Sequence, residues 1–391
     1  MDADPRRLSG AALVTALRDS RATTLARTFD RDDWRVPPQA GVNPVVWELG
    51  HIAWFAEFWI LRGPHRVDAD GRVGAERPAR IAGPDAIFDS SRLAHDDRWT
   101  APMPGRDGLA ARMAEQLAAC IDAIPAADDD KATYLHRLAL FHEDMHGEAF
   151  AGLRATLGWP APDGLALAAM PASEPIEIAG GDVELGRDPH APGFSFDNES
   201  PRRRVRIAPF EIDAAPVTNA QFERFVDAGG YDAPAWWPGD AGAWRRRQAR
   251  ARPERWRRSQ NGRWQQRWFD RWIALEPDAP VIHVNAFEAE AWASWASRRL
   301  PSAAEREHAA ADPRLCWGRS VWEWTASAFE PHPGFVAGPY RDYSAPWFGD
   351  HRELRGGSFA THDRLHDRAY RNFFTPDRSD VFAGFRTAAA R

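Results

Sequence analysis

Apolar residues recur at helical spacing through the first part of the chain and then change period. Between residues 8 and 28, Leu13, Ala16, Leu17 and Thr24 fall on one stripe, with Arg18 and Arg21 off it. Residues 43–62 open on Asn43-Pro44, a helix start with proline at the first position, and close on Arg62-Gly63-Pro64. Within them Trp47, His51, Phe55 and Phe58 share a face. A third helix is predicted from Gly108 to Ile124. The fourth covers Lys131 to Leu157, with Leu135, Leu138, Ala139, His142, His146 and Phe150 on one side. Four amphipathic helices in succession predict a four-helix bundle, and two of them turn histidines toward its interior.

Residues 161–175 are rich in proline and alanine and read as a linker. Beyond them the period shortens. IEIAGGDVELG and RVRIAPFEIDAAPVT read as short strands, while NAQFERFVDAG and AFEAEAWASWASRRLP read as short helices. The expected organisation is a helical bundle over residues 1–160 and a mixed α+β domain over residues 176–391.

Charge narrows the function classes. A net charge of -6 argues against a general nucleic-acid or membrane-surface binder. The basic run WRRRQARARPERWRR, residues 244–258, sits in no nucleic-acid motif and reads as a solvated loop. MDADPRRLSGAAL has no apolar leader, and no run of about 18 apolar residues follows anywhere. A cytoplasmic protein is expected, with small molecules as partners and neither nucleic acid nor membrane. Cys120 and Cys316 cannot build a disulfide framework. Of the 19 tryptophans, 13 follow residue 230, a load that suits a core or a pocket for a cationic ligand.

The stretch LFHEDMHGEAF carries the candidate chemistry. His142 and His146, four apart, share a helix face, and His51 in WELGHIAWFAEFW can meet them from another helix. Three imidazoles make a metal site with open coordination positions. His136, nearly two turns before His142, reads as structural. HEDMH also fits the H-E-x-x-H zinc protease helix, with Glu143 as general base. That reading needs a third ligand downstream, and the chain passes instead from Leu157-Gly158 into the linker.

IEIAGGDVELG, FDNESPRRRVRIAPFEIDAAPVTNAQFERFV, PVIHVNAFEAEAWASWASRRLPSAAEREHAA, VWEWTAS, LRGGSF and FAGFRTA follow one another over residues 176–391. Together they resemble the formylglycine-generating-enzyme-like (sulfatase-modifying) domain, a variant of the C-type-lectin fold. The first part resembles the DinB-like bundle. Their fusion in this order resembles the ergothioneine sulfoxide synthase family, and within it the selenoneine synthases most. The resemblance implies an iron(II) enzyme using dioxygen, with His51, His142 and His146 as metal ligands. Its substrates would be hercynine and a sulfur or selenium donor, joined at the imidazole C2 carbon. A lectin-like binding module without chemistry leaves the three histidines without a use. Formylglycine formation is excluded, because RGGSFATHDRLHDRAYRNFF has no cysteine where those enzymes carry a pair.

The resemblance also implies substrate contacts in the stretch RNFFTPDR. Asn372, Phe373, Phe374 and Arg378 are the candidates there, with Trp322, Trp324 and Trp347 as further aromatic faces for a trimethylammonium group. Enzymes of the family that use γ-glutamylcysteine resemble this stretch but carry an aspartate where Phe374 stands. A phenylalanine cannot pair with an ammonium group, so a seleno-sugar donor is favoured here. The alternative is an ergothioneine sulfoxide synthase using cysteine or γ-glutamylcysteine. The family's active-site tyrosine has no motif match, and Tyr340 and Tyr343 are the nearest candidates among five tyrosines.

Overall fold

A computed structural model describes residues 4–126 and 129–390. Residues 1–3, 127–128 and 391 of the expected domains lie outside the described residues. The chain divides into two compact units. One takes in Met1–Leu157 and two distant segments, His190–Ser195 and Pro339–Tyr343. The other holds Gly158–Pro189, Phe196–Gly338 and Ser344–Arg391.

Four long helices build the first unit: α1 (Gly10–Ala26), α2 (Val45–Ala56), α3 (Arg106–Asp122) and α4 (Asp130–Leu157). Pro44 stands at the N-cap of α2, one residue earlier than its spacing predicts, and its carbonyl accepts the Glu48 amide at 3.0 Å. A π-helical turn, Glu57–Leu61, extends α2. It aims the buried Glu57 carboxylate at the amides of Arg80, Ile81 and Ala82, which would otherwise lack acceptors. α1 packs along α4, and α2 along α3 and α4. Leu13, Ala16 and Leu17 meet Leu140 in one apolar cluster, while Ala56, Cys120 and Ala139 form another. Each leucine so buried contributes roughly 1.5–3 kcal/mol.

Arg21, expected off the buried stripe, is 4% exposed. It follows Leu17 by one helical turn and therefore shares its face. A charge can lie there because its donors meet buried acceptors: Glu143 Oε1 at 2.7 Å, Gln116 Oε1 at 2.9 Å and the Met113 carbonyl. Among the described residues, no helix is long and apolar enough to cross a membrane.

In the second unit eight of the strands are β1 (Ile176–Ile178), β2 (Phe210–Ile212), β3 (Arg298–Arg299), β4 (Trp322–Ala328), β5 (Arg352–Arg355), β6 (Asn372–Phe374), β7 (Ala383–Gly384) and β8 (Ala388–Ala389). They form two four-stranded sheets, in the orders β3-β8-β2-β1 and β6-β5-β4-β7. Pairing is antiparallel except between β4 and β7. Three short helices open on capping boxes that are legible in the sequence: Thr218 with Gln221, Asn285 with Glu288, and Ser302 with Glu305. Buried charges tie the sheet of β4 and β5 to its surroundings. Glu323 accepts from Arg306 and Arg386, and Glu353 accepts from Arg355 and Arg371.

The basic run 244–258 is solvated along most of its arginines, as expected, but it is a loop only between residues 249 and 255. It forms the end of a helix (Gly239–Gln248) and a strand (Trp256–Arg258). Trp244 and Trp256 are buried and anchor the run, and two of the arginines beside them find internal partners. Arg245 donates to the Tyr231 carbonyl and Arg255 reaches His283 Nε2 at 3.2 Å, while Arg258 pairs with Asp227 at the surface.

Candidate metal centre

Helices α2 and α4 bring three imidazoles together. One ring nitrogen from each of His51, His142 and His146 lies within 4.8 Å of the others. Helical spacing alone stacks the pair on α4, whose Nε2 atoms are 3.3 Å apart. His51 Nδ1 lies 2.7 Å from the Phe88 carbonyl, and His146 Nδ1 lies 2.8 Å from Glu48 Oε1. A carbonyl or carboxylate oxygen can only accept, so both Nδ1 atoms carry the proton and both Nε2 atoms present a lone pair. His142 lies flat on Phe55, with ring centroids 3.6 Å apart, and its Nδ1 has no hydrogen-bond partner. Gly50 makes the His51 contact possible. A Cβ there would sit 2.1 Å from Phe88 Cε1, so only glycine lets Phe88 lie against α2 with its carbonyl on the imidazole.

Burial pushes the His51 pKa down to about 3, with His146 adding to the effect, and lowers His142 well below its ordinary value. Both imidazoles are therefore neutral at pH 7, the form that binds a metal ion. No carboxylate stands among the three. The donor set fits a divalent transition metal with positions left for other ligands.

The neighbouring residues exclude other uses of the same helix. Glu143, the general base of the protease reading, is held by Arg21 at 2.7 Å in a buried ion pair. Its carboxylate is committed to α1 and is not free to activate water. His136 Nε2 meets the Cys120 carbonyl at 3.2 Å and serves the bundle.

Tyr340 and Tyr343 both belong to the helical unit. The Tyr340 ring meets Phe55 edge-on at 4.9 Å and lies 6.1 Å from His142. Burial, then Asp342 and Asp89, push its pKa up against the opposing Ser90 hydrogen bond, so the phenol keeps its proton at neutral pH. Tyr343 lies 6.0 Å from Tyr340 and points its hydroxyl at Met145 Sδ, 3.7 Å away. A cleft beside His51 is lined by Trp54, Phe55, Trp59, Ser90 and Tyr340. Sequence reading missed Glu48, although its position three residues before His51 puts it on the same helix face. It also missed Phe88, Asp89 and Ser90, for which no spacing signal exists.

The remaining candidates lie in the second unit. Asn372, Phe373 and Phe374 form β6, paired with Leu354, Glu353 and Arg352. Asn372 Oδ1 accepts the Phe373 amide, and the Phe373 ring stacks on Phe329 at 4.1 Å. The half-buried Phe374 ring lies 5.1 Å from the Arg378 guanidinium, which Asp380 holds in a two-pronged pair. Trp322 and Trp324 are core residues, 2% and 0% exposed, and Trp324 donates to the Val284 carbonyl. Trp347 is 43% exposed.

Residues 15–151 match the DinB superfamily, and residues 166–320 and 316–391 match the sulfatase-modifying factor enzyme 1-like domain. The chain is 32% identical to a protein named hercynine oxygenase from Mycolicibacterium smegmatis, over 96% of this chain and 98% of that one. It is 33% identical to the hercynine oxygenase of Mycobacterium tuberculosis, over the same shares. A formylglycine-generating enzyme from Streptomyces coelicolor is 29% identical over 54% of this chain and 88% of its own length. A DinB-type bundle with three inward histidines, fused to a sulfatase-modifying-factor domain, defines a two-domain class, and the relatives named hercynine oxygenases make it one of oxidoreductases. Within that class the chain belongs to the hercynine oxygenase family.

Proposed function

We propose that the chain is an iron(II) enzyme that uses dioxygen to join a sulfur donor to the imidazole C2 carbon of hercynine, the trimethylated betaine of histidine. The observation that carries this reading is the inward three-histidine cluster in a chain related to hercynine oxygenases over nearly its whole length. In the proposed reaction the thiol and the C2 carbon each lose a hydrogen and a C–S bond forms. One oxygen atom goes to sulfur and the other leaves as water. A metal ion held by His51, His142 and His146 would supply the redox chemistry that couples dioxygen to these two partners. With no carboxylate among the ligands, an anionic thiolate would offset the charge of the metal. Tyr340, protonated and 6.1 Å from His142, would hold a proton at the edge of the site. The cytoplasm suits two cysteines that form no disulfide.

The test is anaerobic purification with iron(II), then mass spectrometry of products from hercynine with each donor. The expected product is a hercynine sulfoxide adduct that forms only when dioxygen is admitted. Plain histidine should be a poorer substrate by about tenfold or more, since an aromatic pocket rewards the methylated ammonium by roughly 1–2 kcal/mol. Equal efficiency on both, or peptide cleavage at comparable rates, would overturn the reading.

A second reading replaces the thiol by a seleno-sugar, and one residue favours it. Phe374 offers an apolar ring where a γ-glutamyl ammonium would need an acid, and burying that ammonium unpaired costs several kcal/mol. Membership of the hercynine oxygenase family, together with that family's resemblance to the ergothioneine sulfoxide synthases, puts sulfur first and selenium second. A three-way competition among γ-glutamylcysteine, cysteine and a seleno-sugar separates the readings. On the selenium reading Phe374→Asp shifts preference toward γ-glutamylcysteine. A clear win for γ-glutamylcysteine in the unmodified enzyme would sink it.

A further inference from the structure

We infer that Glu48 is a positioning residue of the metal centre: from behind His146 it supplies the negative charge that three neutral imidazoles lack. This rests on the metal reading above and extends it to a residue outside the ligand set. Glu48 lies on α2 and is 2% exposed. Its Oε1 accepts from His146 Nδ1 at 2.8 Å, and its Oε2 accepts from Asn43 Nδ2 at 3.2 Å. Asn43 Oδ1 accepts in turn from Arg98 at 2.7 Å. The Arg98 guanidinium lies 3.9 Å from the Trp47 ring centroid, and Trp47 stacks nearly parallel to His51 at 4.9 Å. One relay therefore fixes the His146 tautomer and braces the ring beside His51.

The three ligands are not supported alike. His51 is backed by a neutral carbonyl, and His142 Nδ1 by no hydrogen-bond partner. Among the described residues, Glu48 alone places a carboxylate behind a ligand nitrogen. A carboxylate there makes the imidazole a stronger donor and holds its plane, which is worth about 10–100-fold in metal affinity. A carboxylate buried at this depth costs free energy unless opposite charge lies close; Arg98, linked through Asn43, supplies part of it, and a cation bound through His146 would supply more. The site then balances charge from its second layer, which leaves the open positions free for substrates.

The experiment titrates the metal-free full-length protein with cobalt(II), read by its absorption and by chelator competition. Glu48→Gln keeps an acceptor for His146 but removes the charge, and is expected to weaken binding by about tenfold. Glu48→Ala should lose about 100-fold. Asn43→Ala, which cuts only the outer link, should lose less than either. A merely structural role predicts a lower melting temperature for the metal-free Glu48→Gln protein and unchanged cobalt affinity. If the unmodified chain binds one cobalt and Glu48→Gln binds it equally well, the inference is overturned and the metal reading stands. If the unmodified chain binds none, the metal reading fails and takes this inference with it.

Discussion

Replacing His142 with alanine is expected to abolish both metal binding and turnover while leaving a folded bundle. The ring makes one corner of the three-nitrogen set, its Nε2 3.3 Å from His146 Nε2 and its centroid 5.1 Å from that of His51. Two remaining imidazoles cannot make a facial set, so the loss should exceed the roughly 100-fold that removal of a supporting group produces. Alanine is the best helix former, so α4 should persist. The space left against Phe55 should lower stability by about 1–3 kcal/mol. Elemental analysis gives the metal content, far-ultraviolet circular dichroism the fold, and oxygen uptake with hercynine the activity. His51→Ala and His146→Ala should behave alike. Full metal occupancy and activity in any of the three would overturn the assignment of ligands.

The second large effect is on stability. Glu323→Ala should destabilise the second unit by about 3–5 kcal/mol, because it strands two buried guanidinium groups, Arg306 and Arg386, without their shared counter-charge. Asp182→Ala removes exposed pairs with Arg204 and Arg206 and should cost under about 1 kcal/mol. Thermal or urea unfolding of the two variants gives the contrast. The acid limb adds a second readout. Burial alone would raise the Glu323 pKa, but Arg306 and Arg386 overcome it and hold the carboxyl at about 2, against 4.5 when unpaired. A depressed folded value means that this stabilisation is complete above the unfolded pKa. It is lost as pH falls from 4.5 toward 2. Glu323→Gln should therefore flatten the stability profile in that window. A Glu323→Ala protein as stable as the original would refute the role given to the network.

Much of the candidate site was legible before any coordinates. His142 and His146 had to share a face because the helix brings residue i+4 over residue i. The apolar partners of His51 placed it on the inner side of α2. Other features had no local signature. Arg21 looked like a surface residue until Glu143, 122 positions away, supplied its counter-charge. The basic run 244–258 is largely solvated as expected, but Trp244 and Trp256 within it are buried and set a helix end and a strand where a loop was expected throughout. Trp322 was a candidate aromatic face and lies instead in the core, 5.6 Å from Tyr370.

The sequence by itself determined the four helices of the first unit and the helix face that His142 shares with His146. Each of these depends on spacing within a few residues, where backbone geometry dictates which side chains are neighbours. Only the tertiary structure decided that the Pro339–Tyr343 segment belongs to the helical unit and sets Tyr340 beside Phe55 and His142. It alone gave His146 a carboxylate and His51 a carbonyl, from residues 98 and 37 positions away. Periodicity reports which face of an element is buried, whereas the partner met on that face depends on how distant elements pack across it.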